Sequence, residues 1–356
     1  MKTIRRIFLS LAAISMVTAG ALAQQKAGTT SMQFLSVMPC ARATALGDAY
    51  SVAATGAEAL FWNPAGLAWT ENQQMSLTYI AWIFDSRLYD LAYAVPLGSL
   101  GNIGVQLQYV DYGSFDESVT SGTMYYPGQS LPYLTGRTWK PYSYLGGLTY
   151  ATKLTDRFSF GVTAKYAYES LYDQTASAIQ TDANGSVTNS YSLATNRGVV
   201  LFDAGFRYNT GFKTVQIAAC TQNFGPDVKY SSDYQTTQYP APLTFRIGIA
   251  GDLMGKNSLL IEDANSRLGV MFDLFLENDA DQQEHVGIEY EYANTVSLRA
   301  GYKINYATQG FTCGAGVHQT VGNVKLSFDY GYGAMDALIS AYTGNVHRIS
   351  LGVELQ

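Results

Sequence analysis

The alternation of apolar with polar residues at the carboxyl end constrains the fold of this chain most. Large apolar residues occupy every second position there: Ile349, Leu351, Val353 and Leu355. The residues between them are polar or small: Ser350, Gly352 and Glu354. Because successive side chains of a β-strand point to opposite faces, this segment has one fully apolar face. A strand of about ten residues with this pattern is the unit of a membrane-spanning β-barrel.

The same alternation recurs from residue 75 onward and, with the turn residues, predicts fourteen antiparallel strands. The predicted strands are residues 75–82, 88–96, 102–112, 143–153, 157–170, 198–209, 213–222, 242–251, 266–276, 285–293, 295–306, 310–318, 323–333 and 346–356. Long connections follow odd-numbered strands and short turns follow even-numbered ones, as in a barrel whose first strand starts in the periplasm. The segment 252–265 is long for a periplasmic turn, and we expect a short extra strand or helix in it.

These features predict an all-β membrane protein, a single antiparallel transmembrane β-barrel of about 14 strands with an N-terminal plug-like segment. A soluble β-sandwich or solenoid can also alternate, but its outer faces would be solvated. Here the inferred outer face is almost continuously apolar, and charged residues are only 14% of the chain, against about 25% in an average soluble domain. The outward apolar band therefore favours the membrane barrel.

The first 23 residues have the features of a secretory signal peptide. Lys2, Arg5 and Arg6 precede an apolar run that closes with an A-x-A cleavage site, so that Gln24 becomes the first residue of the exported chain. Removal of residues 1–23 leaves 19 Lys and Arg (22 − 3) against 28 Asp and Glu, a formal charge of −9. This balance argues against a nucleic-acid partner, which needs clustered basic residues.

Residues 24–72 lack strict alternation and are rich in small residues, which predicts a compact plug or hatch segment before the barrel of residues 73–356. Short helices are expected within residues 41–54 and 57–62, and the second ends at Asn63, Pro64, Ala65 and Gly66. Asn63 can bond its own backbone, Pro64 fixes the chain direction, and Ala65 with Gly66 permits close approach to a wall. We interpret this stretch as a plug anchor, with a ligand contact as the alternative.

The alternation also assigns charged side chains to the lumen. The predicted lumen charges are Lys165, Arg207, Arg246, Glu289, Arg299, Lys303, Lys325 and Asp329. Strands joined at Asn294 place Glu289 directly opposite Arg299, which predicts an ion pair inside the barrel. A path for apolar solutes would need an apolar track, so these charges favour binding of a partner over conduction.

The connection 113–142 is rich in aromatic residues, among them Tyr125, Tyr126, Tyr133 and Trp139. Tyr and Trp are enriched at protein interfaces, so this loop is a candidate partner-binding loop, and a girdle at the membrane interface is the alternative. The three histidines, His285, His318 and His347, each lie near the end of a predicted strand, which favours interfacial or loop positions. The sequence contains no motif of an enzyme, a metal site or a cofactor site.

The stretch 41–68 resembles the PorV/PorQ family of Bacteroidota-type outer-membrane proteins. The matching positions are Arg42, Gly47, Ala49, Ala59, Asn63, Pro64, Ala65, Gly66 and Leu67. Residues 223–226 and 347–351 carry further likenesses, so that the resemblance spans nearly the whole exported chain. The family is itself similar to the FadL group of 14-stranded barrels, in which an N-terminal segment plugs the pore. One departure is Gln356, where many outer-membrane barrels end in an aromatic residue.

The resemblance implies a protein of the outer membrane of Gram-negative type, surrounded by its lipid, without enzymatic activity or a cofactor. Relatives of the PorV type are accessory barrels of type IX protein secretion that bind the translocon or its cargo. The alternative implied by the FadL-like barrel is a passive channel for a hydrophobic small molecule.

Overall fold

Fourteen antiparallel strands close into one barrel in the computed structural model, which describes residues 28–120, 132–173, 176–181, 186–193, 195–230 and 238–355. In chain order the barrel strands are β1 (Gln73–Ala81), β2 (Arg87–Pro96), β3 (Asn102–Asp111), β4 (Tyr142–Lys153), β5 (Phe158–Ser170), β6 (Asn196–Asn209), β7 (Gln216–Phe224), β8 (Thr244–Gly255), β9 (Ser266–Glu277), β10 (Gln283–Tyr292), β11 (Val296–Ile304), β12 (Gln309–Val321), β13 (Val324–Met335) and β14 (Val346–Leu355). Each strand pairs with its neighbours in sequence, and β1 pairs with β14, which closes the sheet. The predicted single barrel of about fourteen strands is confirmed; the predicted signal peptide lies outside the described residues.

The connections differ in length at the two ends of the barrel. Three long connections contain antiparallel hairpins of their own: Phe115–Thr120 with Pro132–Trp139, Ala176–Thr181 with Val187–Leu193, and Val228–Lys229 with Gln238–Tyr239. The segment after β8 contains the expected extra element, the two-residue strand Ile261–Glu262, which pairs in parallel with Met254 and Gly255. The end with the short turns is the periplasmic end by the usual rule for such barrels.

The faces of the strands follow the period of two. On β5, Phe160 and Val162 are exposed on the outer surface, whereas Ser159, Thr163 and Lys165 are buried inside. The outer face of the barrel is therefore apolar, as a lipid environment requires, and the polar side chains of the strands collect in the lumen.

Residues 28–72 lie inside the barrel and are called the plug here. They form helices α1 (Ala41–Ala45) and α2 (Ala59–Trp62) and three 3-10 helices, Gln33–Ser36, Gly56–Glu58 and Pro64–Trp69. The helix expected over 41–54 is shorter than predicted because the backbone turns into the left-handed region at Gly47 (φ 66°) and Asp48 (φ 61°). A further helix, α3 (Ala337–Thr343), lies between β13 and β14. Among the described residues no helix is both long and apolar enough to cross a bilayer.

The core of the molecule lies between the plug and the barrel wall. Trp62, Tyr50 and Met32 are the largest fully buried side chains of the plug, and the ring of Tyr50 meets that of Trp62 edge-on at 5.6 Å between centroids. The plug begins near the long connections, where the Ser31 amide donates to the Pro240 carbonyl at 2.9 Å. It therefore passes down the lumen before β1 starts at the periplasmic end.

Candidate functional site

The stretch from Asn63 to Gly66 connects two segments of the plug with each other and with the barrel wall. The Asn63 side chain is fully buried, and its Oδ1 accepts from the Ala65 amide at 3.1 Å. Its Nδ2 donates to the Ser51 carbonyl at 3.0 Å and to the Phe206 carbonyl of β6 at 3.3 Å. Pro64 then starts a 3-10 helix, a position where its missing N–H costs nothing. One side chain thus links two parts of the plug and one barrel strand.

Lumen-facing glycines let this stretch approach the wall. A Cβ on Gly161 of β5 would lie 2.4 Å from the carbonyl carbon of Pro64, and a Cβ on Gly205 of β6 would lie 2.1 Å from Asn63 Oδ1. Both distances are shorter than any real Cβ contact, so only glycine fits at these two positions.

The same arrangement runs around the lumen on eight of the fourteen barrel strands. We call these residues the glycine belt: Gly104, Gly161, Gly205, Gly248, Gly287, Gly301, Gly314 and Gly331. A Cβ on Gly301 of β11 would lie 2.1 Å from the Gly47 amide nitrogen, and a Cβ on Gly331 of β13 would lie 2.5 Å from the Ala41 carbonyl oxygen. The plug backbone is therefore in van der Waals contact with the wall in several directions.

Polar side chains of the wall bind backbone groups of the plug. Asp273 of β9 accepts from the amides of Tyr50 at 3.1 Å and Ser51 at 2.9 Å. Asn102 of β3 donates to the Leu67 carbonyl at 2.6 Å, and Gln222 of β7 donates to the Phe61 carbonyl at 2.6 Å. The plug is largely irregular, and a buried irregular backbone must find such partners because unpaired polar groups are costly.

Glu289 of β10 is the centre of a charged network. Arg42 of the plug binds it through two bonds of 2.8 Å, Nε to Oε1 and Nη2 to Oε2. Arg299 of β11, its direct partner in the sheet, donates from Nε to Oε1 at 2.7 Å, and Arg267 of β9 contacts Oε2. Arg299 also donates to Asp329 of β13 at 2.5 Å. Three guanidinium groups from distant parts of the chain thus share one buried carboxylate, and Arg42 fastens the plug to it.

The other lumen charges predicted from the sequence have separate partners. Lys303 of β11 forms an ion pair with Asp48 of the plug and donates to Gln309 at 2.7 Å. Lys165 of β5 forms an ion pair with Asp203 of β6 at 2.8 Å. The sequence predicted neither partner, because pairing of these residues depends on the path of the plug and on barrel register.

Two predicted lumen cations lie apart from the network around Glu289. Arg246 of β8 lies over the rings of Trp62 and Phe275, at 5.0 and 4.0 Å from their centroids. Lys325 of β13 is half-exposed near the periplasmic end, where its Nζ lies 4.0 Å from Glu354. Among the described residues no three His, Cys, Asp or Glu side chains are grouped as metal ligands.

The described residues include only part of the candidate partner-binding loop. Tyr125 and Tyr126 lie outside the described residues, and Tyr133 lies in the hairpin strand Pro132–Trp139. Trp139 stacks on Phe115 at 5.7 Å between centroids and meets Tyr172, in the next long connection, edge-on at 5.2 Å. Its Nε1 donates to the Leu171 carbonyl at 3.0 Å. Trp139 therefore joins two long connections to each other.

The position of His285 differs from the interfacial or loop position expected for a histidine near a strand end. It is buried inside the lumen, where its ring stacks on Phe275 at 5.6 Å and its Nε2 bonds Gln283 Oε1 at 3.1 Å. The plug covers this end of β10, so that a terminal strand position becomes part of the core.

Replacement of Asn63 tests its role as the plug anchor. Asn63→Ala leaves the Ser51 and Phe206 carbonyls and the Ala65 amide without this partner in a buried setting, so we expect a loss of about 2 kcal/mol in the free energy of unfolding. Denaturant unfolding of the purified barrel, followed by tryptophan fluorescence, measures it. Asn196→Ala, at an exposed position of β6, is the control and should cost less than about 0.5 kcal/mol. Equal losses in the two variants would exclude the anchor role.

The lowered pKa of the Asp48 carboxyl predicts that the stability of the protein depends on pH. Burial raises the pKa of its carboxyl, but the Lys303 ammonium and then the Arg348 guanidinium lower that pKa from 3.8 to about 2. A depressed pKa in the folded state stabilises the protein above the unfolded pKa, and the stabilisation is lost as the pH falls from about 5 to about 2. Denaturant unfolding across this range should therefore show a drop in stability that is about 2 kcal/mol larger in the wild type than in Asp48→Asn. Asp156→Asn, in an exposed turn, should keep the wild-type pH dependence, and identical curves for all three proteins would refute the prediction.

The sequence reasoning missed the glycine belt and the three-arginine arrangement around Glu289. A signal for the belt exists in the sequence, because glycines recur at lumen-facing positions of several predicted strands. No comparable signal exists for the Arg42 contact, because residues 42 and 289 meet only after the barrel has closed around the plug.

Comparisons with known proteins agree with this geometry. A family model described as "Type IX secretion system protein PorV" matches residues 20–270. No match to a curated protein sequence is found. The solved structure of the Pseudomonas putida toluene transporter TodX is similar over 89% of this chain and 98% of its own, with a TM-score of 0.53 and 13% identity. That of a Pseudomonas aeruginosa FadL homologue is similar over 92% and 99%, with a TM-score of 0.50 and 10% identity. At these identities the likeness shows a shared fold, the FadL-like 14-stranded barrel.

Proposed function

Because the chain belongs to the PorV family of type IX secretion system proteins, we propose that it is a non-enzymatic accessory barrel of type IX secretion. In this role it binds the secretion translocon or secreted cargo from the outer membrane. The family and the barrel fold are those of outer-membrane proteins of secretion and transport. The more specific role rests on the geometry of the plug and of the extracellular end.

The fit between the plug and the wall is the observation that carries the proposal. The glycine belt, the Arg42 contact to Glu289 and the wall side chains that bind the plug backbone hold residues 28–72 in the lumen. To pass a solute, the protein would have to break several buried polar contacts together, each worth about 1–3 kcal/mol when a partner is left unpaired. This arrangement favours a protein that works through its outer surfaces.

The extracellular end offers such a surface. A groove of about 1280 Å³ lies among the connections after β9, β11 and β13, and its lining includes Glu277, Glu284 and Asp336. Beside it, α3 exposes Leu338 and Tyr342, at 78% and 85% of their full accessible areas. Large apolar side chains that are this exposed outside the lipid belt are typical of protein-binding surfaces.

A passive channel for hydrophobic compounds is the second candidate function. The similarity of fold to a toluene transporter favours it. An apolar solute would need an apolar track, whereas charged side chains such as Lys165, Glu289 and Arg299 are buried in the lumen. We therefore rank the channel below the secretion role.

Affinity purification of the tagged protein from its own outer membrane, in a mild detergent and with mass spectrometry, tests the secretion role. We expect the translocon or secreted cargo to co-purify, and deletion of the gene to reduce secretion of surface proteins that carry C-terminal secretion signals. Unchanged secretion, together with recovery of the barrel alone with a bound apolar compound, would reject the secretion role in favour of the channel.

A pair of variants locates the surface. Leu338→Glu on α3 should abolish co-purification of the translocon or cargo. Leu100→Glu, an equally exposed leucine at 71% in a periplasmic turn, should retain it. Both barrels must show the heat-dependent gel shift of folded outer-membrane barrels. Loss of binding in both variants, or in neither, would remove α3 from the proposed surface.

A further inference from the structure

A cavity beside the plug has no role in the function proposed above. It has a volume of about 340 Å³ and lies at the periplasmic end of the lumen, between the plug and strands β6 to β9. Residues of the short turn after β6, Lys213 and Thr214, form part of its lining. The cavity is therefore placed to receive a solute from the periplasm.

Cations outnumber anions in the lining of this cavity. It contains the four cations Arg42, Arg207, Lys213 and Arg267, and the single acidic residue Asp252. Two of the cations have carboxylate partners inside the barrel, since Arg42 binds Glu289 and Arg267 binds Asp252 at 2.9 Å. Among the described residues, Lys213 pairs with the exposed Glu262 at 3.6 Å.

Arg207 of β6 has no carboxylate partner among the described residues. Its Nε and Nη2 both donate to the neutral Gln216 Oε1, at 3.0 and 2.5 Å, and its guanidinium carbon lies 5.7 Å from the centre of the Trp69 ring. Its Nη1 is buried and has no hydrogen-bond partner in the described part of the chain. Arg207 is partly buried. A guanidinium that is withdrawn from solvent without a counter-charge is costly, and its planar donors match a carboxylate or a phosphate.

The remaining lining indicates the size and character of the ligand. The apolar part of the lining comprises Val52 and Ala53 of the plug and Ala250 and Met271 of the wall. Thr214 and Gln216 add hydroxyl and amide groups. A site of this volume, lined by both cations and apolar groups, suits an anionic group attached to a small apolar body.

We propose that this cavity binds a small periplasmic anion through Arg207, with a phosphate or carboxylate group on the cations and an apolar body against Val52 and Met271. The proposal is independent of the secretion role, because it concerns the opposite end of the barrel. The same chemistry is available from a free solute and from the headgroup of an anionic lipid.

Calorimetric titration of the full-length barrel in nanodiscs of zwitterionic lipid tests the proposal, with phenyl phosphate, benzoate and inorganic phosphate as probes. We expect saturable 1:1 binding of phenyl phosphate that weakens as salt is raised. Arg207→Gln should weaken this binding at least tenfold, and Arg207→Lys should restore part of it. Nanodiscs that contain anionic lipid form the second arm, in which loss of phenyl phosphate binding would identify a lipid headgroup as the occupant and unchanged binding would identify a free solute.

Lys325→Gln is the matched control. Lys325 is a lumen cation of the same end of the barrel, but it lines a different cavity, near Glu354. Its replacement should change the affinity for phenyl phosphate less than twofold, and both variants must retain the gel shift of a folded barrel. Absence of saturable binding to the wild type, or an equal loss in Arg207→Gln and Lys325→Gln, would overturn the proposal.

Discussion

Replacement of Gly301 by valine is expected to prevent the plug from seating in the barrel. A Cβ at this position would lie 2.1 Å from the Gly47 amide nitrogen and 2.2 Å from the Leu46 carbonyl carbon. Both are backbone atoms, so no side-chain rotation relieves the overlap, and the plug must move. We expect a loss of roughly 3 kcal/mol or more in the free energy of unfolding, since overpacking is compounded by the loss of plug contacts.

Gly146→Val provides the control for this prediction. Gly146 faces outward from β4, and a Cβ there would meet only the Leu107 side chain, at an ordinary 3.5 Å. Valine also suits a strand better than glycine, so this variant should be close to wild type in stability. Denaturant unfolding and limited proteolysis of the plug compare the two variants. A protease-resistant plug in Gly301→Val with wild-type stability would show that the belt does not require glycine.

Removal of the Glu289 carboxylate is expected to have the second large effect. Glu289→Ala leaves the guanidinium groups of Arg42, Arg267 and Arg299 close together inside the barrel without their shared anion. Breaking a buried ion pair by the loss of one partner costs about 3–5 kcal/mol, because the remaining charge stays buried. We expect a loss of that size in denaturant unfolding, and a plug that is cleaved sooner by protease because Arg42 has lost its partner.

Replacement of Glu291, a neighbouring acidic residue on β10, is the control for Glu289→Ala. Glu291 lies two residues further along β10, near the periplasmic end, and among the described residues its one ion pair is with Arg267, at 3.4 Å. Glu291→Ala should therefore cost less than about 1 kcal/mol, as expected for a solvated pair. If Glu289→Ala were no more damaging than Glu291→Ala, the network would not hold the plug.

The barrel could be predicted from the sequence because the alternation of apolar and polar residues is a local pattern within each strand. Lipid requires every outward side chain of a strand to be apolar, so a period of two runs through each segment and reveals its faces without knowledge of its neighbours. Short turns then define the pairing of adjacent strands. The direct pairing of Glu289 with Arg299, across the turn at Asn294, follows from that local information.

The contacts inside the barrel were harder to predict from the sequence because they join residues far apart in the chain. Arg42 meets Glu289, Asp48 meets Lys303, and Asn63 meets the backbone at Phe206. No periodicity relates these positions, since the plug is irregular and its path depends on the shape of the closed lumen. The motif at Asn63 could be recognised as conformational, but its partners could not be named.

The barrel, the number of its strands, its apolar outer face and the small-residue segment ahead of it were all predictable from the amino-acid sequence. Each follows from the requirement that a strand in lipid satisfy its backbone in the sheet and present apolar side chains outward. The way in which the plug is held, and the position of Arg207 beside a cavity, depend on the tertiary structure. Barrel closure brings the glycine belt against the plug, gathers three arginines on Glu289 and places Arg207, which has no carboxylate partner among the described residues, beside a cavity. These are long-range encounters whose energies depend on burial, and burial exists only once the barrel has closed around the plug.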